Sequence, residues 1–518
     1  MSQATEPGHS HHSPGATLTA ESAYVTDGEG GAGAAIIKPG YDPRLANEDL
    51  APLKDQNWSW YNIFAFWMSD VHSVGGYITA GSLFALGLTS WQVFVCLIVG
   101  ITIVLFVCNL VAKPSQRTGV PYPVICRSVF GVLGANIPAI IRGLIAVAWY
   151  GIQTYLASAS LDILLVRMWP ALTPYADVTQ YGFLGLSYLG YATFALLWVA
   201  QACVFWTGMN TIRRFIDFAG PAVYVVMIML CIYLLREANW SVDLNLSSHQ
   251  LRGMDVVTTM CAATALVVSY FSGPMLNFGD FSRYGRSFEA VKTGNFWGLP
   301  VNFLFFSLLT VATAAATVPV YGRLITDPVE TVGQIDNTFA LVLAALTFTT
   351  ATIGINIVAN FVSPAFDFSN VAPQKISWRT GGMIAAVGSV LLTPWNLYNS
   401  PETIHYTLDT LGAFIGPLFG VLIAHYYVVH RQQVVVDDMF TLDESGAYHY
   451  RGGYNPAAIA ATVIAALCAL SVVFVPVLQF ADDYSWFIGC GIGFVAYALL
   501  APRTGVTVAT LRGREITR

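Results

Sequence analysis

The sequence predicts an all-α integral membrane protein with twelve transmembrane helices. Charged side chains make up only 10% of its 518 residues, whereas soluble domains carry about 25%. Hydrophobic residues reach 55%, and the mean hydropathy is +0.59. A soluble protein of this composition would expose large apolar patches to water, so we expect lipid to surround most of the chain.

The apolar residues form segments of about 20 residues that recur from Trp58 onward, each long enough to cross a hydrocarbon core of about 30 Å. We expect helices because lipid offers the backbone no hydrogen-bond partners and because the strict alternation of a barrel strand is absent. The twelve predicted spans are residues 58–84, 91–112, 136–165, 184–208, 215–235, 256–278, 297–318, 339–362, 380–395, 404–428, 456–475 and 484–501.

Lysine and arginine are distributed unevenly between the loops. With a cytoplasmic amino terminus, 19 of the 24 fall on the cytoplasmic side, as the positive-inside rule requires. We therefore expect a multi-pass protein of the plasma (inner) membrane with both termini in the cytoplasm. The predicted organisation is a disordered cytoplasmic tail (1–55), a first five-helix repeat (56–236), a second repeat (237–430), a cytoplasmic loop with two peripheral helices (431–503) and a cytoplasmic tail (504–518).

Several classes of function are excluded by what the sequence lacks. The net charge is −6 and no basic cluster interleaves with aromatic residues, so no nucleic-acid partner is predicted. The eight cysteines lie singly in apolar runs without metal-ligand spacing, so we predict no metal site. Neither a GxSxG nor an HExxH stretch is present, which predicts that the protein is not an enzyme and has no cofactor.

Two apolar segments carry helix-breaking residues at corresponding places. The first contains residues 70–76 with two consecutive glycines, and the sixth contains residues 269–274 with a Gly-Pro pair. Each helix can therefore unwind at mid-membrane and present carbonyl groups to a ligand. These segments begin two successive five-helix blocks, which predicts the inverted repeat of alternating-access transporters. The alternative is that the glycines and the proline mark simple kinks.

Polar side chains at membrane depth indicate where a substrate binds. Trp149 and Gln153 share a face of the third helix, and Asn356 and Asn360 share a face of the eighth, because each pair is four residues apart. An aromatic plane beside amides that donate and accept suits a flat, uncharged, amide-bearing heterocycle better than an ion or a sugar. The alternative is that the tryptophan only packs and the amides join helices.

Asp70 and His72 are the ionisable side chains closest to the first predicted break. Burial favours the uncharged form of both, so either could exchange a proton near neutral pH and couple transport to a proton gradient. The alternative is that Asp70 permanently caps the unwound helix end.

Five stretches, taken in order, resemble the nucleobase:cation symporter-1 family, which includes transporters of hydantoins, allantoin, uracil, cytosine and purines. The resemblance extends from about residue 47 to about residue 500. The stretches on which the resemblance rests are residues 47–53 (NEDLAPL), 119–127 (GVPYPVICR), 149–154 (WYGIQT) and 277–283 (NFGDFSR), and Asn356 with Asn360 ahead of residues 363–365 (SPA).

The resemblance implies a LeuT-like fold of five-plus-five inverted repeats with broken helices 1 and 6, followed by two peripheral helices. It also implies that a substrate ring is sandwiched between Trp149 and Phe271, with the amides of Gln153 and Asn360 at its edge. The resemblance further implies that the substrate is contacted by Ser73 at the first break, by the backbone of Tyr270 in the sixth helix and by Leu408 on a tenth-helix lid.

The sodium site of related symporters is matched less well. Its positions correspond to Ser69 and His72 in the first helix and to Ala351, Gly354 and Ile355 in the eighth. The last two stand where side-chain hydroxyls would be needed, and a hard cation takes about six oxygen ligands. We therefore favour a proton over sodium as the co-transported cation, with Asp70, His72, Ser69 and Ala351 as candidate coupling residues.

The sequence thus predicts a secondary active symporter that imports a nucleobase or related cyclic ureide by alternating access, driven by protons. The alternatives are a sodium-coupled symporter of the same substrates and a facilitative channel. A channel would usually repeat filter residues around an axis, which this chain does not do. The substrate within this class and the oligomeric state stay open.

Overall fold

The structure is a computed structural model that describes residues 24–27, 34–71, 83, 86–244, 251–397 and 401–501, with the side chains of all of these except 24–27, 401–406, 408 and 409. Within this part the protein is built almost entirely from α-helices, as predicted. Two short antiparallel hairpins are added: β1 (Tyr24–Asp27) pairs with β2 (Ala34–Ile37), and β3 (Gly182–Phe183) pairs with β4 (Leu186–Ser187).

The helices of the first half begin with one whose described part reaches Val71, inside the first predicted break. They are α1 (Trp60–Val71), α2 (Ser90–Thr118), α3 (Tyr122–Phe130), α4 (Asn136–Met168), α5 (Thr173–Ala176), α6 (Tyr188–Trp206) and α7 (Met209–Glu237). Helix α3 is short and fully buried between α2 and α4.

The helices of the second half include several short ones that follow one another closely. They are α8 (Met254–Tyr270), α9 (Ser272–Leu276), α10 (Gly279–Ser282), α11 (Phe288–Phe296), α12 (Asn302–Tyr321), α13 (Pro328–Gly333), α14 (Thr338–Ile355), α15 (Val362–Val371), α16 (Trp378–Leu391), α17 (Pro394–Leu397), α18 (Pro401–Ile423), α19 (Pro456–Phe474) and α20 (Ser485–Leu500).

In the described part of the chain, nine helical stretches are long and apolar enough to cross a membrane. They are Ser90–Thr118, Asn136–Met168, Tyr188–Trp206, Met209–Glu237, Phe288–Tyr321, Thr338–Val371, Thr410–Val429, Pro456–Phe474 and Pro476–Leu500. The other three predicted spans coincide with shorter helices, namely α1, α8 with α9, and α16. The protein is therefore a multi-pass membrane protein.

π-helical turns interrupt three of the long helices, at Trp297–Val301, Asn356–Phe361 and Ala424–Val429. Proline explains the first two, because Pro300 lies inside one and Pro364 follows the other. A proline has no N–H for a carbonyl of the preceding turn, and π turns of this kind are frequent at functional sites.

Glycines set the distances between the main helices. A Cβ atom added to Gly220 of α7 would lie 2.8 Å from Met68 of α1, and one added to Gly294 of α11 would lie 2.5 Å from Ile63 of α1. Membrane helices associate by such close packing because lipid gives them no hydrophobic drive to join. Helix α1 is therefore held between α7 and α11.

A second group of helices contains α4, α6, α15 and α16. A Cβ atom on Gly143 of α4 would lie 3.1 Å from Phe368 of α15, and one on Gly382 of α16 would lie 2.2 Å from Phe205 of α6. The two peripheral helices pack on α18, where Gly416 would meet the Trp486 carbonyl. The candidate site lies between this group and α1.

The loops predicted to be cytoplasmic meet at one end of the molecule. Arg283 donates to the carbonyls of Asp49 and Ala51, both at 2.8 Å. Lys113, at the end of α2, donates to Gln432 at 2.6 Å. Residues 34–55, the α10 region and the loop after α18 therefore form one surface.

The prediction of a disordered tail needs correction for residues 34–55. Leu50 and Ala51 are fully buried, and the ring of Tyr41 stacks on Phe440 with centroids 4.5 Å apart. The Tyr41 hydroxyl donates to Asp437 at 2.8 Å. The partners of this segment lie on a loop some 400 residues away in sequence, so local composition could not reveal them. Residues 1–23 and 28–33 lie outside the described residues.

Candidate functional site

A small cavity lies between α1, α4, the α8–α9 junction and the π turn that joins α14 to α15. Its volume is about 30 Å³. The lining residues are Asp70, Arg142, Trp149, Gln153, Tyr270, Gly273, Pro274, Ile355, Ala359 and Asn360. The predicted aromatic, amide and carboxyl side chains thus meet in one place, although four separate helical segments supply them.

The amides are arranged in two layers. Gln153 lines the cavity and is 4% exposed. Asn360 donates through Nδ2 to Asn356 Oδ1 at 3.0 Å, and Asn356 donates to Thr154 Oγ1 at 3.0 Å and to the Tyr150 carbonyl at 3.3 Å. Asn356 therefore stands behind Asn360 and orients it, instead of lining the cavity as predicted. The carbonyl oxygen and one amide hydrogen of Asn360 are left for a ligand.

The π turn that carries Asn360 follows from the local sequence. In this turn the carbonyl of Ala359 would need the N–H of residue 364, five positions on, and that residue is a proline. Arg142 satisfies the carbonyl instead: its Nη2 donates to Ala359 O and to Asn277 Oδ1, both at 3.1 Å. The proline and the arginine together stabilise the turn next to the cavity.

Asp70 and Arg142 are the charged residues of the lining, and both are at most 2% exposed. Within the described part of the chain, Asp70 Oδ1 and the Nε and Nη1 atoms of Arg142 have no hydrogen-bond partner. Burying such atoms is costly, so these groups mark a place for a ligand, water or a proton.

Arg142 was not predicted from the sequence as a cavity residue. The signal was present in the sequence. Arg142 lies seven residues before Trp149 and eleven before Gln153, which places all three side chains on one helix face.

Two further carboxyl groups are fully buried on α10 and α15. Asp280 Oδ1 accepts a hydrogen bond from the Tyr122 amide at 2.8 Å. Both oxygens of Asp367 lack a hydrogen-bond donor among the described residues. Asp367 was also missed at the sequence level, although a carboxyl inside an apolar run is a recognisable signal of function.

The structure corrects the prediction for Phe271. Helix α8 ends at Tyr270 and α9 begins at Ser272, so the interruption is limited to Phe271 and is shorter than the predicted 269–274. The Phe271 ring is 1% exposed and packs edge-on against Phe303, with centroids 5.3 Å apart. Tyr270, whose backbone alone was expected to take part, is the sixth-helix aromatic residue at the cavity.

The comparison with known proteins identifies the family. Residues 51–489 match the family model described as permease for cytosine/purines, uracil, thiamine, allantoin. The chain belongs to this family, the nucleobase:cation symporter-1 permeases. The permease is 32% identical over 486 residues to the allantoin permease of Bacillus subtilis, covering 91% of this chain and 97% of the relative. It is 31% identical over 479 residues to the purine-uracil permease NCS1 of Arabidopsis thaliana, covering 89% and 78%.

Similarity to solved structures identifies the fold of the permease. The closed conformation of Mhp1, a nucleobase-cation-symport-1 family transporter with bromovinylhydantoin bound, matches with a TM-score of 0.72 at 20% identity, covering 91% of this chain and 97% of that one. A sodium-coupled sialic acid symporter matches with a TM-score of 0.60 at 12% identity, covering 88% and 92%. The permease therefore has the LeuT-like fold that the resemblance implied, and its family consists of transporters and not enzymes.

The positions that would form a cation site in the permease are adjacent. A Cβ atom on Gly354 of α14 would lie 3.4 Å from the Ser69 Cβ of α1, and Ala351 is buried one turn earlier on the same helix. Ser69 Oγ has no hydrogen-bond partner among the described residues. Ala351, Gly354 and Ile355 contribute no side-chain oxygen.

Three predicted site residues of the permease cannot be placed beside the cavity. His72 and Ser73 lie outside the described residues. Leu408 belongs to α18, but its side chain lies outside the described part. In the described part of the chain, no group of three or more His, Cys, Asp or Glu side chains could hold a metal ion.

Proposed function

We propose that this permease is a secondary active symporter that imports a nucleobase or a related cyclic ureide together with a proton. The observation that carries the proposal is the cavity in which Trp149, Gln153 and Asn360 meet the buried carboxyl group of Asp70. The names of two relatives, an allantoin permease and a purine-uracil permease, support the same substrate class.

The cavity lining suits a flat ring that carries both N–H and C=O groups. The half-buried indole of Trp149 offers an aromatic face, which can stack on any conjugated ring. Gln153 and Asn360 each offer a donor and an acceptor. A ureide or nucleobase presents the complementary pattern along its edge, so stacking and edge recognition act on different parts of the same molecule.

Proton coupling is assigned to Asp70. This side chain is 2% exposed, and Oδ1 lacks a donor within the described part of the chain. A buried carboxylate is stabilised by a proton or by a cation, and the cation already in this lining, Arg142, donates its Nη2 hydrogens to Ala359 and Asn277 instead. Sodium coupling is the second candidate, because Ser69 lies against α14; it has less support because Ala351 and Gly354 supply no side-chain oxygen.

Transport requires the cavity to change size. A volume of about 30 Å³ holds about one water molecule and no heterocycle. Substrate binding must therefore move the walls, and the interruption at Phe271 provides a place where α8 and α9 can move separately. The proposal includes cytoplasmic termini and a plasma-membrane location, supported by the 19 of 24 basic residues that fall on that side.

The test is uptake of radiolabelled allantoin, hydantoin, uracil and a purine by cells that express the permease. We expect one or more of these to accumulate above the external concentration, the gradient to collapse with a protonophore, and uptake to persist when choline replaces sodium. Equilibration without accumulation would contradict active transport. Loss of uptake without sodium, together with resistance to the protonophore, would contradict proton coupling.

The pocket itself is tested by Trp149→Ala. Removing one stacking partner should weaken substrate binding by about 1–3 kcal/mol, or roughly 5- to 150-fold. The matched control is Trp91→Ala, which removes a tryptophan that is 66% exposed at the start of α2. Equal affinity in both variants, measured by thermal shift with the transported compound, would contradict the pocket assignment.

The coupling residue is tested by Asp70→Asn. An amide cannot carry the proton, so accumulation should be lost while exchange of labelled for unlabelled substrate continues. Asp255→Asn, at an exposed position at the start of α8, is the control. Accumulation that still collapses with a protonophore in the Asp70 variant would remove this residue from the coupling mechanism.

A further inference from the structure

A groove between α7 and α14 is much larger than the substrate cavity. Its volume is about 500 Å³. Its walls are mainly apolar, and typical residues of the two walls are Met229, Leu230 and Tyr233 on α7 and Phe339, Leu343 and Phe348 on α14. Water has few partners on such walls, so a groove of this size is expected to hold an apolar molecule.

The groove opens toward lipid. Met229 is 48% exposed, Tyr233 is 41% exposed and Phe339 is 75% exposed, and all three lie on helices that are long and apolar enough to cross the membrane. Exposed apolar side chains on such helices face hydrocarbon chains and not water. The molecule that reaches the groove most readily is therefore a lipid of the bilayer.

The dimensions of the groove match one leaflet. From Asn337 to Phe348 helix α14 rises by about 16 Å at 1.5 Å per residue, and half of a hydrocarbon core of about 30 Å is about 15 Å. The groove thus reaches from the end of the span to about the bilayer midplane.

The two ends of the groove differ in polarity. Asp336 and Asn337 stand at its mouth, where Asp336 forms an ion pair with Arg167 at 3.8 Å. Thr347 and Phe348 close the deep end, and Thr347 directs its hydroxyl hydrogen to the Leu343 carbonyl, so no free donor points into the groove from there. A groove with a polar mouth and apolar walls below it is complementary to a lipid whose headgroup lies at the membrane surface.

We propose that this groove is a binding site for one acyl chain of a phospholipid from the leaflet on the Asp336 side. The site is separate from the substrate cavity, because the two share no lining residue. It is also distinct from the general lipid-facing surface, because the chain would lie between two helices and contact both.

The test uses a phospholipid with a photoactivatable diazirine midway along one acyl chain. The full-length permease is reconstituted with this lipid, extracted into detergent, washed to remove loosely held lipid and then irradiated, and the labelled peptides are identified by mass spectrometry. We expect label on residues 226–233 and 339–348, and none on the lipid-facing surface of α6 around Leu196, which is 61% exposed. Absence of label in the groove, or equal label at Leu196, would overturn the proposal.

Two tryptophan variants of α14 make the test specific. Ala340→Trp places an indole in the groove, where Ala340 is a half-buried lining residue, and should remove most of the groove label. Leu346→Trp adds the same side chain at a position that is 62% exposed and does not line the groove, and should leave the label unchanged. Unchanged label in both variants would contradict the proposal. If Ala340→Trp does not fold, the labelling pattern of the wild-type chain decides.

Discussion

At the scale of single residues, the two asparagines of the eighth span have different tasks despite their shared helix face. Asn360 lines the cavity, whereas Asn356 is completely buried and holds the Asn360 amide at 3.0 Å. The hydrogen bonds from Asn356 to Thr154 and Tyr150 connect this pair to α4. The orientation of the ligand-facing amide thus depends on a residue that no ligand needs to contact.

We predict that Asn356→Ala weakens substrate binding although the residue lies behind the cavity. Without its partner the Asn360 amide can rotate, and a net loss of about 0.5–1.5 kcal/mol is typical of one hydrogen bond. Affinity can be measured by thermal shift with the transported substrate.

The double variant Asn356→Ala/Asn360→Ala provides the control. If Asn356 acts only through Asn360, the double variant should bind no more weakly than Asn360→Ala alone, because coupled residues are not additive. Fully additive losses would show that Asn356 acts independently.

At the scale of elements, the π turn Asn356–Phe361 determines where the eighth-span amides point. The turn coincides with the missing N–H of Pro364, and the free carbonyl of Ala359 is bound by Arg142. A regular helix through this region would rotate the residues before the proline relative to those after it.

We predict that Pro364→Ala lowers substrate affinity without unfolding the protein. Alanine restores the N–H, so the helix can become regular, which displaces Asn360 from the cavity and leaves Arg142 without its backbone acceptor. Uptake and thermal stability should be measured together. Pro417→Ala, within α18, is the control for removing a buried helix proline away from the site. Wild-type affinity in the Pro364 variant would contradict the role of the turn.

The cytoplasmic end of the α18 span contains a second element with a testable property. His430 is 6% exposed, stacks on His425 with ring centroids 4.1 Å apart, and lies beside Tyr448 of the following loop. Burial lowers the pKa of His430 to about 4, whereas an exposed histidine has a pKa of about 6.5. The folded protein therefore holds this ring uncharged.

We predict that thermal stability falls as the pH is lowered from about 6.5 to about 4. In this interval the unfolded chain binds a proton at His430 that the folded chain does not, so stability rises with pH and this contribution is complete above about 6.5. His430→Phe should flatten the profile by at most about 3 kcal/mol. Melting temperatures of the detergent-solubilised protein between pH 5 and 8 would check this, and identical profiles for His430→Phe and wild type would exclude the residue.

At the scale of the whole molecule, residues 49–51 connect two groups of helices on the predicted cytoplasmic side. The carbonyls of Asp49 and Ala51 accept hydrogen bonds from Arg283, and Asp49 Oδ2 accepts one from the Trp378 amide at 3.1 Å. The amino-terminal segment therefore joins the α10 region to α16, and we expect these bonds to hold this side of the molecule closed.

We predict that Arg283→Ala lowers the steady-state accumulation of substrate. The variant removes two hydrogen bonds to a buried charged group, each worth about 1.5–3 kcal/mol, so the cytoplasmic side should open more often and substrate should leak. The measurement is the ratio of internal to external labelled substrate. Arg286→Ala, an exposed arginine three residues later in the same loop, is the control. A normal ratio in the Arg283 variant would contradict this closing role.

The candidate site could be predicted in part from particular residues. Trp149, Gln153 and Asn360 were found because polar and aromatic side chains at helical spacing stand out in an apolar run. The burial of the Phe271 ring against Phe303 could not be predicted. It depends on the length of the interruption between α8 and α9 and on the space beside Phe303. The contact of Tyr41 with Phe440 was missed for a related reason, since no local pattern links residues so far apart in sequence.

By itself, the sequence determined that the chain is an all-α membrane protein of the permease family, and it indicated which apolar segments span the bilayer. Composition and segment length decide the helical membrane class and the spans, and they act on each segment without reference to its neighbours, whereas the family follows from the ordered sequence motifs. Only the tertiary structure decided that Tyr270 rather than Phe271 lines the cavity, that Asn356 supports Asn360, and that Arg142 lies at the cavity wall. These outcomes depend on how far each helix rotates about its own axis, which the packing of other helices against it determines.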